Sequence, residues 1–297
     1  MTVRGNKKRR KIRIGRIIAL VAIGVIFIVY VFPIFWMGVT TFKTKVQIFD
    51  PIPKLFFKPT LLNYQMFFGV AELGEVGAGK GGAATTFVKA MGTSALITAA
   101  STILAVVLGT MTGYVLSRYE MEAKDDLMFV ILATRMLPPV VALVPISLLY
   151  TNIGLKDTFL GFLLLYTNFN LAFSVWMMKG FFDDVPYFFE EAAMCDGYSR
   201  LGAFTRVVLP MVTTGLAATA VFCAIMVWNE FVFAVVIGTK KYLLMPPTIF
   251  AKSYGSTGII WGVLTASSLI FVIPVIIFTY IVRKHLLRGV TFGVIRG

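Results

Sequence analysis

Hydrophobic residues run along this chain in long blocks with few polar interruptions, not in the alternating pattern of a half-buried strand. An α-helix needs about 20 predominantly apolar residues to cross a hydrocarbon core. Six blocks qualify, at approximately 17–42, 87–116, 127–150, 159–180, 212–237 and 259–282. The pattern predicts an all-α polytopic membrane protein, a six-span helical bundle. Prolines at 138, 139, 145 and 274 fall inside these blocks and predict kinks, because proline removes one helical hydrogen bond and crowds the preceding turn.

Composition agrees. The chain is 58% hydrophobic and only 14% charged, with a mean hydropathy of +0.85, which excludes an ordinary soluble domain. The net charge of +14 would suggest nucleic acid in a soluble protein. Here the basic residues gather at the chain ends and beside apolar blocks, so they read as membrane orientation and no nucleic-acid partner is expected. Residues 1–16 form a basic segment, with Arg4, Lys7, Lys8, Arg9, Arg10, Lys11, Arg13 and Arg16; the tail at 283–297 carries Arg283, Lys284, Arg288 and Arg296. An even number of spans places both ends on one side, which the positive-inside rule makes cytoplasmic. The apolar run after the basic head exceeds that of a signal peptide and no small-residue cleavage site follows, so it reads as retained. Residues 17–297 then form one transmembrane domain.

Chemistry-bearing motifs are few. Cys195, Cys223 and the lone His285 offer neither a metal cluster nor a disulfide framework. "GEVGAGKG" at 74–81 nearly spells a phosphate-binding loop, but Gly81 replaces the hydroxyl that would hold Mg²⁺ and no apolar strand precedes it. It reads as a flexible connector on the outer side, and the chain is not expected to hydrolyse ATP.

The exceptional stretch is 183–210, a polar segment between the fourth and fifth blocks on the cytoplasmic side. Asp183 or Asp184 can cap a first short helix, Pro186 suits its first turn, and Gly197 sits where a left-handed stop is expected. Ser199 can cap a second helix running through Phe204 to a break at Leu209-Pro210. The predicted object is a helix-turn-helix knob. A solvated connector is the alternative; against it stand Phe188, Phe189, Leu201 and Phe204, large apolar side chains suited to a partner's groove.

"EAAMCDG" followed by "VVLP" resembles the EAA signature of binding-protein-dependent ABC importer permeases, with Glu191, Ala192, Ala193, Gly197, Val207, Leu209 and Pro210 in register. "LPPVVALVPISLLYTNIGLKDTFLGFLLLY", "MKGFFDDVPYFFEEAA", "WNEFVFAVVIG" and the closing "GVTFGVIRG" are similar to the carbohydrate-uptake branch of that family, in particular to the second maltose-transporter permease. Where the family often has a second proline before "GLAA", this chain has Thr214. The resemblance implies a subunit forming half of the translocation pathway for a sugar, oligosaccharide or polyol in a prokaryotic inner membrane. Implied partners are a cytoplasmic ABC ATPase dimer, a second permease subunit, an extracytoplasmic solute-binding protein and membrane lipid. No cofactor or metal is expected in the chain itself, ATP being bound by the partner. The coupling residues it implies are Glu191, Ala192, Ala193, Gly197, Leu209 and Pro210, with neighbouring Glu190, Asp196 and Phe204 as further candidates.

Polar residues inside the spans are the pathway candidates, because lipid-facing polar groups are poorly tolerated. They are Arg135, Tyr166, Asn168, Asn170, Asn229 and Glu230, each with a structural alternative: a paired cation for Arg135, interhelical packing for the fourth-span amides, and a structural pairing near the outer rim for Glu230. A stand-alone secondary transporter is the competing class, although the sequence shows neither an intramembrane acid chain nor a clear internal repeat. A membrane enzyme ranks third, for want of any clustered nucleophile and base. The closing "GVTFGVIRG" lacks a strong apolar period and predicts an extended segment.

Overall fold

The computed structural model describes residues 5–68, 82–136, 138–255 and 258–292, with side chains for 15–68, 86–136, 138–254 and 258–281. The glycine-rich segment at 74–81 lies outside the described residues. In chain order the elements are α1 (Gly5–Thr41), α2 (Lys45–Ile48), α3 (Leu62–Phe67), α4 (Gly82–Arg118), α5 (Lys124–Met136), α6 (Pro139–Asn152), α7 (Phe159–Asp183), α8 (Phe188–Cys195), α9 (Arg200–Ala203), a π-helical turn (Phe204–Val208), α10 (Leu209–Met211), α11 (Thr213–Trp228), α12 (Val232–Ile237), α13 (Met245–Lys252), a two-stranded hairpin of β1 (Tyr254–Gly255) and β2 (Gly258–Ile259), and α14 (Trp261–Phe292).

Among the described residues, four stretches of single helix are long and apolar enough to span a membrane, 15–41, 86–118, 159–183 and 261–281, and two bent helix pairs bring the number to six when each pair counts as one span. The third predicted span is such a pair: α5 and α6 meet at 90°. The cause is the Pro138-Pro139 step. A residue before proline is driven out of the helical region, and Pro138 takes ψ 129° before Pro139 opens α6. Pro145 and Pro274, by contrast, lie within α6 and α14.

The fifth predicted span is corrected more substantially. A continuous helix over 212–237 was expected, but α11 stops at Trp228 after 16 residues, about 24 Å of helix. Side chains end it. The Asn229 amide turns back to the Ile225 carbonyl at 2.8 Å, and the Glu230 carboxylate accepts from the backbone N–H groups of Phe233 at 3.0 Å and Ala234 at 3.1 Å. Those are orphan donors at the start of α12, so Glu230 starts a new helix instead of continuing the old one. At the other end, α14 continues to Phe292 where an extended segment was expected from 289 onward. Adding residues to an existing helix needs no new nucleus, which explains the extension.

The chain divides into two compact units, one from 1–83 with 252–270 and the other from 84–251 with 271–297. In the first, Asn63 donates both amide hydrogens, to the carbonyls of Thr41 and Lys43, each at 2.8 Å. Gly262 packs against this amide, where a Cβ would collide with it. Buried Lys43 places its ammonium over the rings of Trp36 at 4.6 Å and Phe57 at 5.2 Å, where the ring faces offset part of its lost hydration.

In the second unit α7 is the central helix, packed against α5 and α11. Gly109 and Gly113, four residues apart on α4, let that helix approach α7 backbone to backbone: a Cβ at 109 would run into Ser174, and one at 113 would lie 2.8 Å from the Lys179 nitrogen. Small residues at this spacing drive close helix crossings where no hydrophobic effect distinguishes protein from lipid. Gly215 on α11 plays the same part against the Phe181 ring. Two apolar clusters follow, one around Phe162, Tyr166, Val227, Phe233 and Ile237, the other around Tyr114, Met178, Phe182, Val208 and Val212.

Candidate functional site

The polar segment folds as two short helices joined at a glycine. α7 runs further than expected, through Asp183, because Lys179 pairs with Asp183 one turn on at 2.6 Å. Asp183 also accepts from the Ser117 hydroxyl at 2.7 Å. It therefore belongs to the end of α7 and Asp184 is that helix's C-cap; neither caps α8, whose N-cap is Tyr187. Gly197 has φ +90°, the left-handed stop read from the sequence. Ser199 caps the second helix by accepting from the Gly202 N–H at 3.1 Å. That helix passes through the π turn and ends at Met211, so the break falls just after Leu209-Pro210, with a 74° bend into α11. The π turn has a local cause. Pro210 cannot donate and its ring crowds the carbonyl four residues back, and the widened turn, with Leu209 N–H reaching Phe204, takes up the misfit.

Neighbouring motif residues separate onto opposite faces, about 100° apart per residue. Glu191 is exposed, with Asp196, Gly197 and Pro210. Glu190 is only 4% exposed: Arg118 Nε donates to its Oε2 at 2.9 Å and the Tyr114 hydroxyl donates to its Oε1. Glu190 therefore faces inward and holds the segment to the end of α4. Phe204 is turned inward as well, its ring lying 4.4 Å from Tyr114 and 6.1 Å from Phe182, centroid to centroid. Ala193 is buried, and Ala192 and Leu209 are half-buried. The outward apolar side chains are Phe188, 69% exposed, and Leu201, 71% exposed, with Phe189 beside them. Arg200 and Arg206 lie over the rings of Tyr119 at 5.8 Å and Tyr198 at 5.5 Å. Sequence reasoning missed Tyr114 and Arg118, since nothing local announces a partner more than 70 residues away.

Four of the pathway candidates line one cavity of about 280 Å³: Arg135, Tyr166, Asn170 and Glu230, with Phe169 and Phe233. Both helix breaks open onto it, through Pro139 at the start of α6 and Glu230 ahead of α12. Tyr166, Phe169 and Asn170 share one face of α7 by their spacing of three and four. The Tyr166 hydroxyl donates to Glu230 Oε2 at 2.8 Å, and Asn170 donates to the Cys223 carbonyl at 3.1 Å. Arg135 is anchored by the Phe169 carbonyl and points a second nitrogen at the Met226 thioether. Asn168, on the opposite side of α7, is exposed and does not line the cavity, and Asn229 is turned back onto α11. The lining thus offers a guanidinium, a carboxylate, an amide, a phenol and two phenyl rings. Such a wall can exchange hydrogen bonds with a hydroxylated solute while its rings cover apolar C–H faces. Among the described residues no three of His, Cys, Asp and Glu converge as metal ligands.

Residues 105–292 match the family described as binding-protein-dependent transport system inner membrane component. A probable ABC transporter permease protein, y4oR of Sinorhizobium fredii, is 31% identical over 92% of this chain and 92% of its own length. The diacetylchitobiose uptake system permease protein DasC of Streptomyces coelicolor is 29% identical over 95% of this chain and 98% of its own. In fold, the chain resembles a subunit from the crystal structure of a bacterial ABC transporter involved in the import of the acidic polysaccharide alginate, with a TM-score of 0.73 at 20% identity over 96% of this chain and 98% of that one.

Proposed function

The chain belongs to the binding-protein-dependent transport system inner membrane components, and from that membership we propose that it is a permease subunit of an ATP-driven importer of carbohydrate, one of two that form the translocation path. The sugar class is supported by relatives such as the diacetylchitobiose permease and by a cavity whose lining suits hydroxylated solutes. ATP is hydrolysed on a separate cytoplasmic ATPase dimer, and an extracytoplasmic binding protein delivers the solute. Both chain ends and the polar segment face the cytoplasm.

The observation that carries this reading is the division of faces on the polar segment. Glu190 is spent inside the protein, whereas Glu191 stands exposed one turn along α8 from the exposed Phe188, and Leu201 on α9 is exposed as well. An acid at the edge of an outward apolar pair is the composition of a docking surface: the apolar side chains supply affinity and the carboxylate fixes register against a basic partner. The knob then conveys ATPase opening and closing to the spans, which alternate access to the cavity. An ion-driven carrier would call on a relay of intramembrane acids. Glu230 is instead committed to Tyr166 and the start of α12.

Two substitutions test the docking. Glu191→Lys keeps a good helix former but opposes a basic partner, and loss of a desolvated charge pair costs about 2–5 kcal/mol, enough for more than tenfold weaker association. Gly197→Val forces a β-branched residue into positive φ and redirects the second helix. Both are expected to reach the membrane in normal amount, lose the copurifying ATPase and abolish uptake. Wild-type ATPase retention and uptake in both would sink the docking reading.

A further inference from the structure

Beneath the docking face lies a buried set of contacts that docking itself does not use. Arg118 and Glu190 pair with side chains only 7% and 5% exposed. The same guanidinium donates to the Val185 carbonyl at 3.0 Å and to the Ser117 hydroxyl oxygen at 3.3 Å, and it lies 5.8 Å from the Tyr187 ring. Ser117 in turn donates to Asp183, and Tyr114 to Glu190. Residues 114, 117 and 118 occupy the last turns of α4. Their partners are the end of α7, the linker at 184–187 and the first turn of α8. One helix end therefore grips the knob, its linker and the helix that precedes it.

From this geometry we infer that Arg118, Glu190 and Tyr114 form a latch that makes α8 move as one body with α4, so that displacement of the knob is passed to a third span besides α7 and α11, to which it is covalently joined. The inference rests on the reading of the knob as the ATPase-docking element. Glu190 acts through the knob as a positioning residue, and Glu191 touches the partner. Stability alone is a poor reason for such a pair, because well-packed apolar residues generally serve a core as well as a buried ion pair. Cohesion here already comes from the edge-to-face and tilted packing of the Tyr114, Phe182 and Phe204 rings. What a forked guanidinium adds is direction: its donors are committed on several sides, and the knob can neither slide nor rotate on α4 without leaving a charge unpaired.

The test reads motion directly and needs no identified solute. In the complete transporter, spin labels are placed on native Cys195, exposed on α8, and on Met111→Cys, an exposed position of α4; Cys223 is buried. Pulsed electron–electron resonance distances are compared without nucleotide and after trapping with ATP and orthovanadate. The latch predicts a distance that holds within about 2 Å between the two states, although knob and spans both move against the ATPase. In Glu190→Gln the ATPase is retained, and the distance distribution broadens or shifts with nucleotide state. Tyr114→Phe, which keeps the ring packing, gives a smaller change in the same direction and decides the matter should Glu190→Gln fail to accumulate. A wild-type distance that shifts between states, variants indistinguishable from wild type in both states, or loss of the ATPase from Glu190→Gln as from Glu191→Lys would each overturn the latch. A wild-type chain that retained no ATPase would instead overturn the underlying functional reading.

Discussion

At the scale of single residues, Asp157 shows how much one carboxylate can organise. It sits in the loop ahead of α7 with φ +55°, a left-handed conformation that aspartate tolerates better than most side chains. Its two oxygens accept from the backbone N–H groups of Thr239, Lys240, Lys241 and Tyr242 and from the Thr239 hydroxyl, at 2.8–3.3 Å. Burial alone would push its acidity down, but these donors outweigh burial and hold the carboxyl below its usual range. The sign of the linkage follows. A depressed acid stabilises the fold above its unfolded value, and the contribution is lost as pH falls through the lower folded value. Asp157→Asn keeps the left-handed turn but gives up the charge, and with screening at a half-exposed site it is expected to cost about 1 kcal/mol near neutrality. Thermal unfolding in detergent should show a Tm gap between the two proteins that is constant above about pH 5 and closes below about pH 4. A gap that widened on acidification would contradict this account. The sequence could not show this clasp, whose halves are some 80 residues apart. It did show the stop at Gly197 and the cap at Ser199, because those are local devices. Glu190 and Glu191 mark the limit: the motif identifies the acid pair and its register favours Glu191, but the inward role of Glu190 depends on an arginine and a tyrosine from another helix.

Among elements, helix crossings matter more than helix lengths. The apolar blocks gave each span to within a few residues where it was a single helix, since length and hydropathy are one-dimensional properties. Breaks were legible where they are encoded in backbone chemistry, as at Pro138-Pro139, and illegible where a side chain imposes them, as Glu230 does ahead of α12. The α4–α7 crossing gives a sharp expectation. A Cβ at position 113 would lie 2.8 Å from a backbone nitrogen, which cannot swing aside, whereas one at Gly92 meets nothing within 4 Å. Gly113→Val is therefore expected to destabilise the helix pair by about 1–3 kcal/mol or more and to reduce the monodisperse protein recovered by size-exclusion chromatography. Gly92→Val should fall within about 0.5 kcal/mol of wild type. Equal recovery of the two variants would mean that the glycine seam does not set the crossing.

For the molecule as a whole, membrane orientation was read from charge bias and span parity, and the native cysteines allow it to be tested almost without mutation. Cys195 is exposed on the knob and Cys223 is buried in α11. A membrane-impermeant maleimide should leave Cys195 unmodified in intact cells and modify it in inside-out vesicles. Lys240→Cys, in the exposed loop clasped by Asp157, should react the opposite way. Reversed labelling would place the knob on the wrong side for an ATP-driven partner. The cavity between the two helix breaks was only half legible at this scale: polar residues within spans are conspicuous, but which of them share a wall depends on helix rotation and on the breaks, so Asn168 and Asn229 were named along with four residues that do converge. The exposed Phe188 and Leu201 carry a last consequence, for the economy of the cell. Apolar side chains of this size left exposed without a partner are what chaperones and quality-control proteases recognise. If the proposed docking holds, a copy made in excess of its partners would display a signal for its own removal.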